Sequence, residues 1–155
     1  MKLNGILIDS ARLVERHEYY YRLVEFMAQW KMNVLLLHFC DDQGCAIRLP
    51  GFEARALPRA FSTREIREWI AFAAQRGIEV IPEIETFGHT RYLTDNARYR
   101  HLCAGDRKSK SWQTAIDPLH PGTLPLMRRL ITAVARLFPS QYLHLGCDEV
   151  DMTAY

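Results

Sequence analysis

Four short runs dominated by Ile, Leu and Val recur along this chain, and each is separated from the next by a segment with helical periodicity. The runs are NGILIDSA (4–11), NVLLLHF (33–39), EVIPEIE (79–85) and YLHLGCDE (142–149). They have strand length, and their nearly continuous apolar character suits strands covered on both faces. In the first intervening segment Tyr20, Leu23, Met27 and Trp30 recur at spacings of three and four. In the second, Ser62 can cap a helix and Glu65 can reach back to close a capping box, with Ile66, Trp69, Ile70 and Ala73 following and Gly77 as the stop. The third places Met127, Leu130, Ile131, Val134 and Leu137 on one face and ends at Pro139. Strand and helix in strict alternation demand right-handed βαβ units and a parallel sheet, so the sequence predicts an α/β fold. No linker or low-complexity stretch divides it, so residues 1–155 are expected to form one domain.

A chain of 155 residues that is 48% hydrophobic and 25% charged can bury a core, which argues against disorder. Its 20 basic and 18 acidic residues are scattered, and only RKSK at 107–110 is locally basic. Neither nucleic acid nor an acidic membrane is expected as a partner. The opening MKLNGILIDSARL lacks the apolar core of a signal peptide, and no run approaches the roughly 20 residues of a membrane span, so the chain reads as cytoplasmic. Cys40, Cys45, Cys103 and Cys147 are irregularly spaced, and reduced thiols are expected. A zinc site from Cys40, Cys45, Cys103 and a histidine lacks any C-x-x-C or H-x-x-x-H spacing.

Two loops, 40–61 and 86–121, are longer than βαβ units need, and both follow the carboxyl end of a strand, where ligand sites collect in α/β folds. Every strand hands over to its loop with polar groups: Asp9, Ser10 and Arg12; His38, Asp41, Asp42 and Gln43; Glu83, Glu85 and His89; His144, Asp148 and Glu149. Taken singly, Asp9 reads as a turn cap, His38 and His144 as satisfied core histidines, and Glu83 as the partner of an arginine. Four strand ends with the same habit point instead to an active site, because unpaired buried carboxylates are expensive. A metal-dependent hydrolase would use His and Asp as ligands, whereas a glycosidase would use carboxyl groups as proton donor and charge stabiliser. Neighbours on a regular strand point to opposite faces, so Asp148 and Glu149 can serve one site only where the strand gives way to its loop.

The ordered set IDSAR, KMNVLLLHFCDDQG, RGIEVIPEIETFGH and LFPSQYLHLGCDEV resembles the catalytic domain of the β-N-acetylhexosaminidases, glycoside hydrolase family twenty, along essentially the whole chain. The resemblance implies the first four βα units of a (β/α)₈ TIM barrel, incomplete in this chain. It also implies removal of terminal β-linked N-acetylglucosamine or N-acetylgalactosamine by substrate-assisted retention, without a protein nucleophile or a cofactor. Carried onto these residues, Glu149 would be the general acid and later the base, and Asp148 would orient the acetamido group. Arg12 would grip the sugar's distal hydroxyls, and Asp41 and His89 would hydrogen-bond towards the acid. Glu85 would join the substrate-binding set, standing where the family usually has Asp. Cys45 stands for the usual Trp, Phe87 for Pro, and Cys147 for the second Gly of GGDE.

Strands five to eight, which in the family carry the aromatic walls of the sugar subsite, have no counterpart before Tyr155. The chain is thus expected to be a fragment of a longer reading frame or a truncated homologue, inactive alone, with a non-catalytic half-barrel that binds a sugar or a partner chain as the alternative. Leu35, Leu37, Ile81, Leu143 and Leu145 are expected to include side chains that three helices leave uncovered, which predicts self-association.

Overall fold

The computed structural model of the chain describes residues 2–104 and 115–150. In chain order its elements are β1 (Gly5–Asp9), α1 (His17–Gln29), β2 (Val34–His38), β3 (Cys40–Asp41), β4 (Gly44–Ile47), β5 (Ala56–Phe61), α2 (Thr63–Ala74), β6 (Glu79–Glu83), α3 (Arg91–Thr94), a 3-10 turn (Arg100–Leu102) and α4 (Thr123–Leu137). The basic run at 107–110 lies outside the described residues. Among those residues no helix is long and apolar enough to cross a membrane.

The capping box at the start of α2 forms as its sequence predicts. Glu65 N–H donates to Ser62 Oγ at 3.2 Å, and Ser62 N–H donates to the Glu65 carboxylate at 2.8 Å. Two otherwise orphaned amides are thereby satisfied, and Ile66, Trp69, Ile70 and Ala73 turn to the core. In α1 Tyr20 and Met27 are buried as expected, with Val24 in place of Leu23, and Trp30 is left 65% exposed beside Phe26. In α4 Leu126 joins Met127, Leu130, Val134 and Leu137 in burial, and Ile131 is only partly covered.

Strands β1, β2 and β6 form a parallel sheet in that spatial order. The register sets Ile6, Leu35 and Val80 side by side, then Leu7, Leu36 and Ile81, and two residues further on Asp9, His38 and Glu83. Side chains alternate across a sheet, so the Leu7 row and the Asp9 row share the face opposite Leu35 and Val80. Leu35, Leu37 and Val80 meet Tyr20, Met27, Trp69 and Val134 in one apolar core. Of the five positions expected not to be all covered, Leu35 and Leu37 are buried because they face the helices. The uncovered apolar positions are Leu7, 58% exposed, and Leu145, 41% exposed. Ile81 is in the same row as Leu7 yet only 8% exposed.

Two further departures bear on the rim. Residues 142–149 do not form a full strand: they join β6 through a single parallel bridge between Glu83 and His144. His144 N–H donates to the Pro82 carbonyl at 2.9 Å and Ile84 N–H to the His144 carbonyl at 3.0 Å, after which Gly146 (φ 66) and Cys147 (φ 78) turn the backbone out of extended geometry. Residues 40–61, expected as a loop, carry a second small sheet in the order β3-β4-β5, with Cys40 opposite Cys45 and Asp41 opposite Gly44 in the hairpin. Cys40, Cys45 and Cys147 are free thiols.

Candidate active site

Asp9 closes β1 and immediately organises the turn that follows. Its Oδ1 accepts the backbone N–H groups of Ala11 (3.0 Å) and Arg12 (2.9 Å), a local turn that fixes where the Arg12 side chain starts. The guanidinium then forks, with Nη1 at 2.8 Å from Asp9 Oδ2 and Nη2 at 2.6 Å from Asp41 Oδ2. Arg12 is thus braced by two carboxylates from different elements while nearly half of its side chain stays exposed.

Asp41 is the hub of the rim. Its carboxylate is buried, and besides Arg12 it takes a hydrogen bond from His38 Nε2 at 3.1 Å and one from the Asp42 N–H at 2.6 Å. Burial alone would raise its pKa. The His38 and Asp42 hydrogen bonds, with the charges of His89 and Arg12, outweigh burial and hold it below the usual carboxylate range. Neighbouring Asp42 accepts the Arg91 N–H at 3.2 Å, but there burial dominates and pushes the carboxyl up.

His89 follows Gly88 and has a left-handed backbone, φ 49. A side chain at Gly88 would run into the Asp148 carbonyl, so only glycine lets the two segments pass this closely. His89 Nδ1 lies 3.5 Å from Asp41 Oδ1 and 3.4 Å from Asp42 Oδ2, and its Nε2 lies 3.1 Å from Glu149 Oε2. Burial works against the charged ring, yet Asp41, Asp42, Glu85 and Glu149 together raise its pKa. Glu149 also adopts a left-handed conformation, φ 48. With the extended geometry broken, donor atoms of His89, Asp148 and Glu149 come within 4.8 Å of one another. The adjacent carboxylates converge for the reason expected from the sequence: the strand has already given way to a turn.

Glu85 sits beneath this pair. Its carboxylate is buried, accepts the Cys147 N–H at 3.2 Å, and occupies the space a Cβ at Gly146 would need. Burial, reinforced by the negative charge of Asp148, pushes its pKa up to about 7, with the Cys147 N–H, His38 and His89 pulling the other way. Behind Asp41, His38 is flanked by carboxylates at both ring nitrogens, Nε2 at 3.1 Å from Asp41 and Nδ1 at 3.2 Å from Glu83. Burial opposes its charge, but those two hydrogen bonds and the charges of Glu83 and Asp9 raise its pKa to about 10. Glu83 does not pair with an arginine, as the sequence alone suggested. Its partners are His38 and, at 3.4 Å, His144.

All six residues singled out from the sequence therefore meet at one rim: Arg12, Asp41, Glu85, His89, Asp148 and Glu149. Sequence reasoning set His38 aside as core. Its position three residues before Asp41, facing the same side as the β1 and β6 ends, was the signal available. Three clusters bring a histidine and two carboxylates within ligand spacing: His38, Glu83 and Glu85; Asp41, Asp42 and His89; His89, Asp148 and Glu149. In each, a histidine faces two carboxylates as a potential counter-charge.

Comparison with known proteins gives the same frame. The model of the family described as "Glycosyl hydrolase family 20, catalytic domain" matches residues 2–155. Beta-hexosaminidase of Vibrio furnissii is 30% identical over 96% of this chain, and Beta-hexosaminidase A of Caenorhabditis briggsae is 32% identical over 96%. The crystal structure of a GH20 exo beta-N-acetylglucosaminidase from Vibrio harveyi in complex with N-acetylglucosamine superposes with a TM-score of 0.82 at 30% identity, covering 96% of this chain and 27% of that one. The chain spans 29% and 28% of the length of the two relatives named first.

Proposed function

Since the chain belongs to glycosyl hydrolase family 20, as a part of its catalytic domain, we propose that it supplies the first four βα units of a barrel that removes terminal β-linked N-acetylhexosamine. In this reading the acetamido oxygen of the bound sugar attacks the anomeric carbon as the glycosidic C–O bond breaks, and Glu149 gives its proton to the leaving oxygen. Asp148 accepts a hydrogen bond from the acetamido N–H, which gains positive character as the oxazolinium ring closes. Water then attacks the anomeric carbon and returns a proton to Glu149, opening the ring with retention. Arg12, braced by Asp9 and Asp41, offers its remaining donors to the distal hydroxyls. Glu85, whose carboxyl is pushed up to about 7 by burial and by the charge of Asp148, lies beneath that carboxylate.

The observation that carries the reading is the convergence of His89 Nε2 on Glu149 Oε2 with Asp148 alongside. It leaves one carboxylate coupled to a proton-exchanging ring and the other free to orient substrate. The test is Asp148→Asn in the protein's full reading frame. Hydrolysis of N-acetyl-β-glucosaminides should fall, and the parent protein should leave the corresponding substrate without an acetamido group untouched. Equal hydrolysis of both sugars by the parent would rule out substrate assistance. Chelators should leave the rate unchanged, and a chelator-sensitive rate restored by metal would favour metal-assisted hydrolysis instead.

A second reading has its own observation. The exposed Leu7 on the inner face leaves a surface on which a half-barrel can bind a sugar or a partner chain without catalysis. The 155-residue chain alone is proposed to be inactive in either case, because it holds one side of the sugar pocket.

A further inference from the structure

Beneath the rim lies a chain of charged groups longer than proton donation by Glu149 requires. It runs from Glu83 Oε1 to His38 Nδ1 (3.2 Å), from His38 Nε2 to Asp41 Oδ2 (3.1 Å), from Asp41 Oδ1 to His89 Nδ1 (3.5 Å), and from His89 Nε2 to Glu149 Oε2 (3.1 Å). Three strand ends contribute: β2 ends in His38, β6 ends in Glu83, and β3 carries Asp41.

A neutral imidazole has one N–H and one lone pair. Between two carboxylates at 3.1 and 3.2 Å, a neutral His38 would press its lone pair against one of them. Only the imidazolium donates to both. Glu83 strengthens the case, because its Oε2 is buried without a hydrogen-bond partner, and such an oxygen is tolerable when a full positive charge sits on the same carboxylate. Asp41 divides its two oxygens. Oδ2 takes Arg12 and His38, while Oδ1 takes the Asp42 N–H and faces His89.

We propose that His38 is a positioning residue for the reaction. As a buried imidazolium bridging Glu83 and Asp41, it sets how much of the Asp41 charge reaches His89, and so at what pH His89 Nε2 changes from donor to acceptor towards Glu149. With His38 charged, part of the Asp41 field is spent on it, and His89 releases its proton at lower pH. A neutral His89 then accepts a hydrogen bond from protonated Glu149, which is the form that protonates a leaving group. Among the described residues the other cation on Asp41 is Arg12, which touches the same oxygen but stands nearly half in solvent, where its charge is screened. His38 is faced by Asp9 from β1, Asp41 from β3, and Glu83 and Glu85 from β6 and its continuation, with His144 across Glu83. His89 is faced by Asp41, Asp42, Glu85, Asp148 and Glu149. The raised pKa of His38, about 10, agrees with this geometry.

The inference rests on Glu149 as proton donor, but its test does not need turnover. Histidine ring nitrogens and carbons are followed by NMR across pH in the full chain, in the parent, His38→Gln and Glu83→Gln. In the parent at pH 8, both His38 nitrogens should carry protons. The His89 midpoint should rise by roughly half to one pH unit in His38→Gln, where a positive charge is lost, and fall by a similar amount in Glu83→Gln, where a negative one is lost. Opposite signs are something a packing role would not produce. A neutral His38 in the parent at pH 8 overturns the proposal whether or not either variant folds, as do midpoints that stay put or move the same way. If the midpoints move as expected but hydrolysis proves independent of Glu149, the functional reading fails and the linkage stands.

Discussion

His89 turns Nε2 to Glu149 Oε2 at 3.1 Å while its Nδ1 faces Asp41 and Asp42 at 3.5 and 3.4 Å, so one ring joins the carboxylate nearest the opening to the buried anions behind it. In the proposed role of Glu149 as acid, its proton is exchanged against that background.

Glu149→Gln in the full reading frame should lower kcat/KM on substrates with poor leaving groups by about 10²- to 10⁴-fold. Activated aryl glycosides, whose leaving oxygen needs no proton, should lose far less. Parallel losses on both, measured by steady-state kinetics, would remove Glu149 from the acid role.

Glu85 binds its proton more tightly in the folded chain, with a pKa of about 7 against an ordinary 4.5. Between those values the folded state holds more protons than the unfolded one. Its contribution is thus fully present below about pH 4.5 and is lost as pH rises through about 7, by no more than about 3 kcal/mol. Glu85→Gln should flatten the dependence of Tm on pH across this window. An unchanged slope would mean that Glu85 titrates normally.

Gly146→Ala should destabilise the rim for two reasons that act together. The position needs φ 66, and the added Cβ would meet the Glu85 carboxylate. The backbone conformation alone costs about 1–2 kcal/mol for a residue with a side chain. Denaturant unfolding of Gly146→Ala should show at least that loss, and the same substitution at Gly51, which has φ 78 and open space around it, should show the backbone cost alone.

The 155-residue chain, purified alone, should self-associate through its open sheet face. Leu7 lies exposed there, and β1 pairs only with β2 among the described residues. Light scattering should report a dimer or larger species, and Leu7→Lys should shift it towards monomer. A monomeric parent would show that this face tolerates water.

What the sequence made legible was whatever repeats with a period or sits at a strand end. The α2 capping box and the core face of α2 could be read because local chemistry dictated them, whereas the six rim residues stood among the polar groups at the strand ends and were singled out by the family resemblance. The β3-β4-β5 sheet could not be read. β3 has two residues and β4 four, too short for any alternation, and Pro58 interrupts the run that becomes β5. The fourth strand was over-read because Leu143 and Leu145 look strand-like, whereas the backbone turn at Gly146 and Cys147 decides how far pairing extends. The partners of Glu83 were misjudged because sequence carries no cross-strand register. Once His38 and Glu83 are known to be register partners, their pairing follows.

Among the described residues, the peptide bearing Asp148 and Glu149 is held beyond Leu143 mainly by polar contacts: the two backbone bonds around His144, the Thr86 hydroxyl donating to the Leu145 carbonyl at 2.7 Å, the Cys147 N–H on Glu85 and the His89 ring on Glu149. Leu143, before the turn, packs against the apolar core. Such a strip can lift away while the helices remain packed, so its amides should exchange with solvent deuterium well before those of β2, and a protease should nick it without first unfolding the domain. The chemistry of this protein would then be lost and regained through a local opening, at a free-energy cost unrelated to the stability a melting curve records.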